Sequence, residues 1–141
     1  MSYLPGGVTT DTVAISVMLA DDDRGYLESL RTLVQQQPGL SVVAVAHDGL
    51  EALDRADELE PDAVVIDLHM PRLDGVSAVA RLRRDHPSIC LIALTGDADP
   101  TLHRAAEEAG ADTVMLKGQI LDGLSDRIAS VRRRRQPAGI R

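Results

Sequence analysis

The sequence contains no tryptophan and no phenylalanine, and its only tyrosines are Tyr3 and Tyr26. A core must therefore be filled by aliphatic side chains: Val, Leu, Ile, Ala and Met. Cysteine is nearly absent too. Cys90 stands alone, which excludes an intrachain disulfide and suits a reducing compartment. It lies within an apolar run and reads as a buried structural thiol. No apolar run approaches the ~20 residues of a membrane span. Met1 to Thr12 lacks the basic start and apolar stretch of a signal peptide, so a cytoplasmic protein with no membrane contact is expected. Positive charge is in deficit, with 15 basic against 22 acidic residues and a net charge of -7. That excludes a protein whose whole surface grips nucleic acid. Lysine is the scarcest cation of all: Lys117 is the only one, and the rest are arginines.

What remains is ordinary for a globular domain. The chain has 141 residues, 44% of them hydrophobic and 26% charged, a one-domain length able to bury a core. Residues 1–13, with Pro5-Gly6-Gly7, read as a flexible leader, and residues 136–141 as a flexible tail. Between them apolar runs alternate with helical periodicity. Val13 to Ala20 ends in Asp21-Asp22-Asp23; Tyr26, Leu27, Leu30, Leu33 and Val34 then recur at helical spacing until Pro38-Gly39. Leu40 to Ala46 precedes a helix carrying Leu50, Leu53 and Leu59. Ala63 to Asp67 precedes one with Val76, Val79 and Leu82. Ile89 to Leu94 ends at Thr95, and a helix with Leu102, Ala105, Ala106 and Ala109 closes at Gly110. Thr113 to Leu116 ends at Lys117, and Leu121, Leu124, Ile128 and Val131 mark the last helix.

These are five βα units. Continuously apolar runs are the mark of strands buried on both faces, and right-handed crossovers then place helices on both sides of a parallel sheet. No internal repeat and no second domain are visible.

The polar residues converge on one edge. Asp21 and Asp22 follow the first strand, Asp67 ends the third, Thr95 the fourth and Lys117 the fifth. The carboxyl edge of an open parallel sheet is where ligands bind. Three carboxylates in one pocket repel one another and need compensation. Oxygen ligands suit a hard divalent ion such as Mg²⁺, and the only lysine stands at the same edge. A carboxylate beside Mg²⁺ and an ammonium is placed to attack phosphorus, with the cations neutralising charge on the transferring group. Singly, each residue has a plainer reading. Asp21 to Asp23 resemble a helix-capping cluster, Thr95 a cap of the fourth helix, and Lys117 a solvated side chain. Together at one edge those readings weaken.

The Val64-Val65-Ile66-Asp67-Leu68-His69-Met70-Pro71 stretch, with Asp74-Gly75 beyond it, is specific. With Asp21-Asp22, Thr95 and Lys117 at matching intervals, the chain resembles the receiver domains of two-component response regulators from about Ala14 to Arg135. The resemblance implies a flavodoxin-like, doubly wound five-stranded parallel sheet of order 2-1-3-4-5. Asp67 would be the phosphoacceptor, served by a sensor histidine kinase or a histidine phosphotransfer protein. Asp22 would ligate Mg²⁺ directly, Asp21 largely through water, with Asp67 and the His69 backbone carbonyl completing the protein ligands. Thr95 and Lys117 would contact the phosphoryl oxygens, and Gly96 would leave access to them. Such a domain is no enzyme beyond its own phosphorylation and dephosphorylation, and it signals through a downstream protein partner.

Three positions depart from the family's pattern. Val114 stands where relatives carry an aromatic ring that moves with Thr95 on activation. Gly118 stands where a cis-proline usually follows the lysine, so a trans bond and an altered loop are expected. His69, two residues past the acceptor, is the third; the four histidines share no metal-ligand spacing. Arg132 to Arg135 read as the solvated, dipole-complementing end of the last helix, direct nucleic-acid binding being the lesser alternative. A homodimer is left open. The rival readings are an enzyme working through an aspartyl-phosphate, a nucleotide- or flavin-binding module without the expected glycine-rich loop, and a receiver that binds partners without phosphorylation.

Overall fold

The first four helices each begin on an aspartate. Asp23, Asp48, Asp74 and Asp99 hold extended backbone conformations, and each side chain accepts a hydrogen bond from a first-turn amide. Such caps satisfy donors that a helix N-terminus otherwise leaves bare. They start α1 (Arg24–Gln35), α2 (Gly49–Leu59), α3 (Gly75–Asp85) and α4 (Pro100–Ala109); α5 (Leu124–Arg135) closes the fold. The computed structural model describes residues 14–96, 98–120 and 122–135, with Arg135 described in its backbone only. The expected leader at 1–13, the tail at 136–141 and Leu121 lie outside the described residues.

Five strands alternate with these helices: β1 (Ile15–Ala20), β2 (Leu40–Ala46), β3 (Ala63–Asp67), β4 (Cys90–Thr95) and β5 (Thr113–Leu116). All pairs are parallel and the order is β2-β1-β3-β4-β5, the expected doubly wound arrangement. Side chains alternate between two cores. Val17, Leu19, Val65, Ile92 and Leu94 face α1 and α5 residues such as Leu30, Val34, Leu124 and Ile128. Met18, Val64, Ile66, Leu91 and Ala93 face the opposite layer, with Ala52, Ala56, Val79 and Leu82. Cys90 is fully buried, as its apolar context suggested.

Some leucines that match the helical period do not reach the core. Leu33, Leu50 and Leu59 are exposed, while Val34 and the small Ala52 and Ala56 take the buried stripe. The sheet sits close enough to α2 that alanine suffices there. β2 also departs from a uniform strand. Its register with β1 slips between Val17 and Met18, leaving Val43 unpaired in a bulge and exposed.

Register brings the strand ends level. Ala20 pairs with Ile66, Asp67 with Leu94 and Thr95 with Leu116, so the next residues of β1 and β5 meet the ends of β3 and β4. The loop from Leu68 to Asp74 is gripped from two sides. A Cβ on Gly75 would stand 2.3 Å from the Leu68 Cα, and one on Gly49 would stand 2.2 Å from the Leu73 carbonyl oxygen. Only glycine permits these approaches of α3 and α2. Among the described residues no helix is long and apolar enough to cross a membrane.

Candidate functional site

Asp21, Asp22 and Asp67 each present a carboxylate oxygen, and these atoms all lie within 4.8 Å of one another. Asp21 and Asp67 are buried, with 0% and 2% of their surface exposed, whereas Asp22 is open to solvent. Lys117 Nζ enters from the end of β5, 2.7 Å from Asp21 Oδ2 and 3.7 Å from Asp67 Oδ2. The structure thus gathers the three aspartates and the lysine that the sequence singled out.

Their engagement differs. Asp21 Oδ1 accepts the Asp23 amide at 2.9 Å, and its Oδ2 is held by the Lys117 ammonium at 2.7 Å. Asp67 Oδ1 is buried with no hydrogen-bond partner. Orphaned buried carboxylate oxygens are costly unless a cation or donor completes them. An all-oxygen donor set that includes such an atom on Asp67 fits a hard divalent ion. The capping reading holds for one member of the cluster: Asp23 caps α1, while Asp21 and Asp22 belong to the pocket.

Electrostatics carry the same signature. Asp67 is pushed up from 3.8 to about 6, by burial first and by the Asp21 charge second, against the pull of Lys117 and the His69 amide. Lys117 is held above its ordinary value: burial works against its charge, but the Asp21 hydrogen bond and the charges of Asp67, Asp21 and Asp23 outweigh it.

Thr95 ends β4, 3% exposed, and His69 lies two residues past Asp67 with an exposed side chain. A Cβ on Gly96 would meet nothing within 4 Å, so packing does not enforce a small residue there. Asp99 rather than Thr95 caps α4. After β5 the chain turns through a short 3-10 helix, Lys117–Gln119, and no cis peptide occurs among the described residues. Val114 is half-buried beside a cavity of about 490 Å³ that Thr95, Pro100, His103, Arg104 and Leu116 also line. A larger hollow of about 760 Å³, lined by Asp62, Asp85, His86 and Arg132, holds none of these site residues. Arg132 pairs there with Asp62 at 3.4 Å, and Arg133 and Arg134 are exposed.

One neighbour of the pocket went unread in the sequence. The Tyr26 ring lies under Lys117 Nζ, 4.6 Å from its centroid, and its hydroxyl donates to the Lys117 carbonyl at 3.4 Å. Burial, then the charges of Asp21 and Asp67, push its phenol up to about 12, so the hydroxyl keeps its proton. Its place in the first turn of a helix that starts at the acidic cluster was the available signal.

An open α/β sheet with a cation-balanced acidic pocket at its carboxyl edge defines the class of protein. The response regulator receiver domain family matches residues 17–129. The response regulator MprA of Mycobacterium bovis is 37% identical over 125 residues, covering 89% of this chain and 54% of that protein. The response regulator domain of Thermotoga maritima CheB shares the fold with a TM-score of 0.78 at 26% identity, covering 85% of this chain and 97% of that one. The receiver domain of the Francisella response regulator 1452 has a TM-score of 0.76 at 29% identity, covering 86% and 99%. The chain belongs to the response regulator receiver domain family of two-component systems. It spans about half the length of the curated relatives it matches.

Proposed function

We propose that Asp67 is a phosphoacceptor, charged by a sensor histidine kinase or histidine phosphotransfer protein in a Mg²⁺-dependent reaction. The observation that carries this reading is the buried Asp67 carboxylate, whose Oδ1 has no hydrogen-bond partner and whose Oδ2 lies 3.7 Å from Lys117, in a pocket with two further carboxylates. A carboxylate kept short of hydrogen-bond donors retains its nucleophilicity. Attack on the donor's phosphorus forms a P–O bond to Asp67 and breaks the P–N bond to the histidine, whose imidazole leaves as a neutral base after taking a proton.

Asp22, Asp67 and the His69 backbone carbonyl would hold Mg²⁺, with Asp21 acting largely through water. Both Asp21 oxygens are already engaged, by the Asp23 amide and by Lys117, whereas Asp22 is exposed. Bound there, the ion would supply charge neutralisation for the transferring phosphoryl group. Lys117 adds a second positive charge on the same side, and Thr95 a hydroxyl at the end of β4. The phosphorylated domain then signals through a protein partner. An aspartyl-phosphate enzyme is disfavoured because the position two residues past Asp67 holds His69, exposed, where such enzymes carry an acid.

Intact mass after incubation with acetyl phosphate and Mg²⁺ tests the proposal. One phosphoryl group is expected on the parent chain and none on Asp67→Asn or without Mg²⁺. An unchanged parent mass would leave a receiver that binds partners without phosphorylation. Asp22→Ala should weaken Mg²⁺ binding more than Asp21→Ala; the reverse order sinks the ligand assignment.

A further inference from the structure

The geometry points to Tyr26 as a positioning residue for phosphoryl transfer, acting on the reacting groups through Lys117. This deepens the phosphoacceptor reading and rests on it.

Four contacts close a ring around the lysine. Asp21 Oδ1 accepts the Asp23 amide at 2.9 Å, and Asp23 Oδ1 accepts the Tyr26 amide at 3.1 Å. The Tyr26 ring lies 4.6 Å from Lys117 Nζ, which returns to Asp21 Oδ2 at 2.7 Å. The hydroxyl of Tyr26 adds a fifth tie, to the Lys117 carbonyl, 91 positions away in sequence. One aromatic side chain thereby holds the lysine at its backbone and at its charged tip.

The need for such a hold is local. Lys117 leads into Gly118, where a Cβ would meet nothing within 4 Å, and into a 3-10 turn of only three residues. Glycine in open space gives this loop little stiffness of its own. A lysine carries four rotatable bonds and is a flexible point charge, so its ammonium stays beside a developing phosphoryl charge only if something else fixes it. Asp21 fixes the distance to one side. The face of Tyr26, attractive to a cation, adds a second hold on the ammonium, which stands 3.7 Å from Asp67. The ring is therefore the larger part of the effect and the hydroxyl the smaller.

Two measurements test this on the full chain. The first is the initial rate of phosphorylation by acetyl phosphate at saturating Mg²⁺, read by intact mass. Tyr26→Leu is expected to slow the reaction about 5- to 30-fold, the range a partly desolvated cation–π contact supports. Tyr26→Phe, which keeps the ring, should recover the rate to within about threefold. In a Lys117→Ala background, Tyr26→Leu should cause no further slowing, since its effect runs through the lysine. Equal slowing with and without Lys117 would show a merely structural role. A Tyr26→Leu rate within twofold of the parent, with Asp67 still phosphorylated, overturns the inference and leaves the phosphoacceptor reading intact. The second measurement is independent of turnover. Labelled lysine gives a single set of resonances, because Lys117 is the only lysine. Its ε-methylene protons are expected upfield in the parent and in Tyr26→Phe, and at ordinary shift in Tyr26→Leu. An ordinary shift in the parent would refute the contact. A parent that never gains mass sinks the phosphoacceptor reading and the kinetic consequence together, while the lysine spectrum still decides whether the ring holds the ammonium.

Discussion

Lys117 stands 2.7 Å from Asp21 and 3.7 Å from Asp67, so the only lysine is held more closely by the carboxylate that is not the proposed acceptor. Asp21 thus keeps the ammonium in the pocket while leaving it able to serve a second anion. Replacing Lys117 by Met should act twice. Two buried carboxylates lose their cation, at a cost of ~2 kcal/mol, below the ~3–5 of a fully buried pair because the ammonium is partly exposed. Urea denaturation with EDTA present should show it as a lowered midpoint. Phosphorylation by acetyl phosphate should slow by ~10²-fold, as when a preorganised charge-stabilising donor is removed. An unaltered rate would remove Lys117 from the proposed chemistry.

The second prediction follows from the raised pKa of Asp67. Folded Asp67 keeps its proton to about pH 6, whereas the ordinary value is 3.8. Between these values the folded state binds more protons than the unfolded one, so stability falls as pH rises across the window. Above pH 6 the ionised carboxylate exerts its full destabilising effect. Without divalent ions, Asp67→Asn should therefore be more stable than the parent at pH 7.5 by on the order of 1 kcal/mol, discounted for screening through the open pocket mouth. Near pH 4 the gap should close. Thermal melts in EDTA at the two pH values check it, and a gap that widens on acidification contradicts the assignment.

A third concerns the scaffold under α4. Arg83 donates to the carbonyls of Gly110, Pro87 and Ile89 at 2.9–3.0 Å and to Asp112 Oδ2 at 2.8 Å; that same oxygen accepts the Leu91 amide. One guanidinium ties α3, the start of β4 and the turn before β5. Arg83→Met should cost ~2–4 kcal/mol in urea denaturation, since a largely buried carboxylate loses its partner. Arg83→Lys should recover little, because an ammonium cannot reproduce the fork of donors. Full recovery by lysine would mean that only charge matters there.

The fourth prediction addresses Val114. Its branched side chain is short and stiff, with no ring to move as Thr95 moves. A phosphoryl group shifts the domain only by what it contacts differently in two states. Beryllofluoride with Mg²⁺ should therefore move amide resonances chiefly in the loops after Asp67 and Thr95, and little across Thr113 to Leu116 or along α5. Large shifts spread over those elements would show that the ring is dispensable.

The fold was legible because every strand is a largely apolar run, interrupted only by Ser16 in β1 and Ser41 in β2 before the polar strand ends, and apolar residues recur at helical spacing between the strands. The three aspartates and Lys117 were legible because each stands at a strand's carboxyl end, where topology alone brings them together. Tyr26 was not, since its partner lies 91 positions away and only the packing of α1 against the end of β5 joins them. Leu33 and Val34 both fit a helical period; which one is buried depends on how the helix rolls onto the sheet. The four aspartate caps also passed unread as a set. An acidic composition hides them, because a cap looks like any surface carboxylate until the helix start is known.

The bulge at Val43 bears on what the sheet refuses. β2 is one border of the sheet and β5 the other, so each carries amides and carbonyls that another chain could extend. An extra residue in β2 interrupts that regular comb, and β5 is only four residues long. Neither border offers an unbroken template for a foreign strand, which guards against fibrillar stacking when the protein is concentrated. Self-association through the sheet is thereby discouraged. Any homodimer of this domain should be built on helical faces, with its two sheets remaining separate and finite.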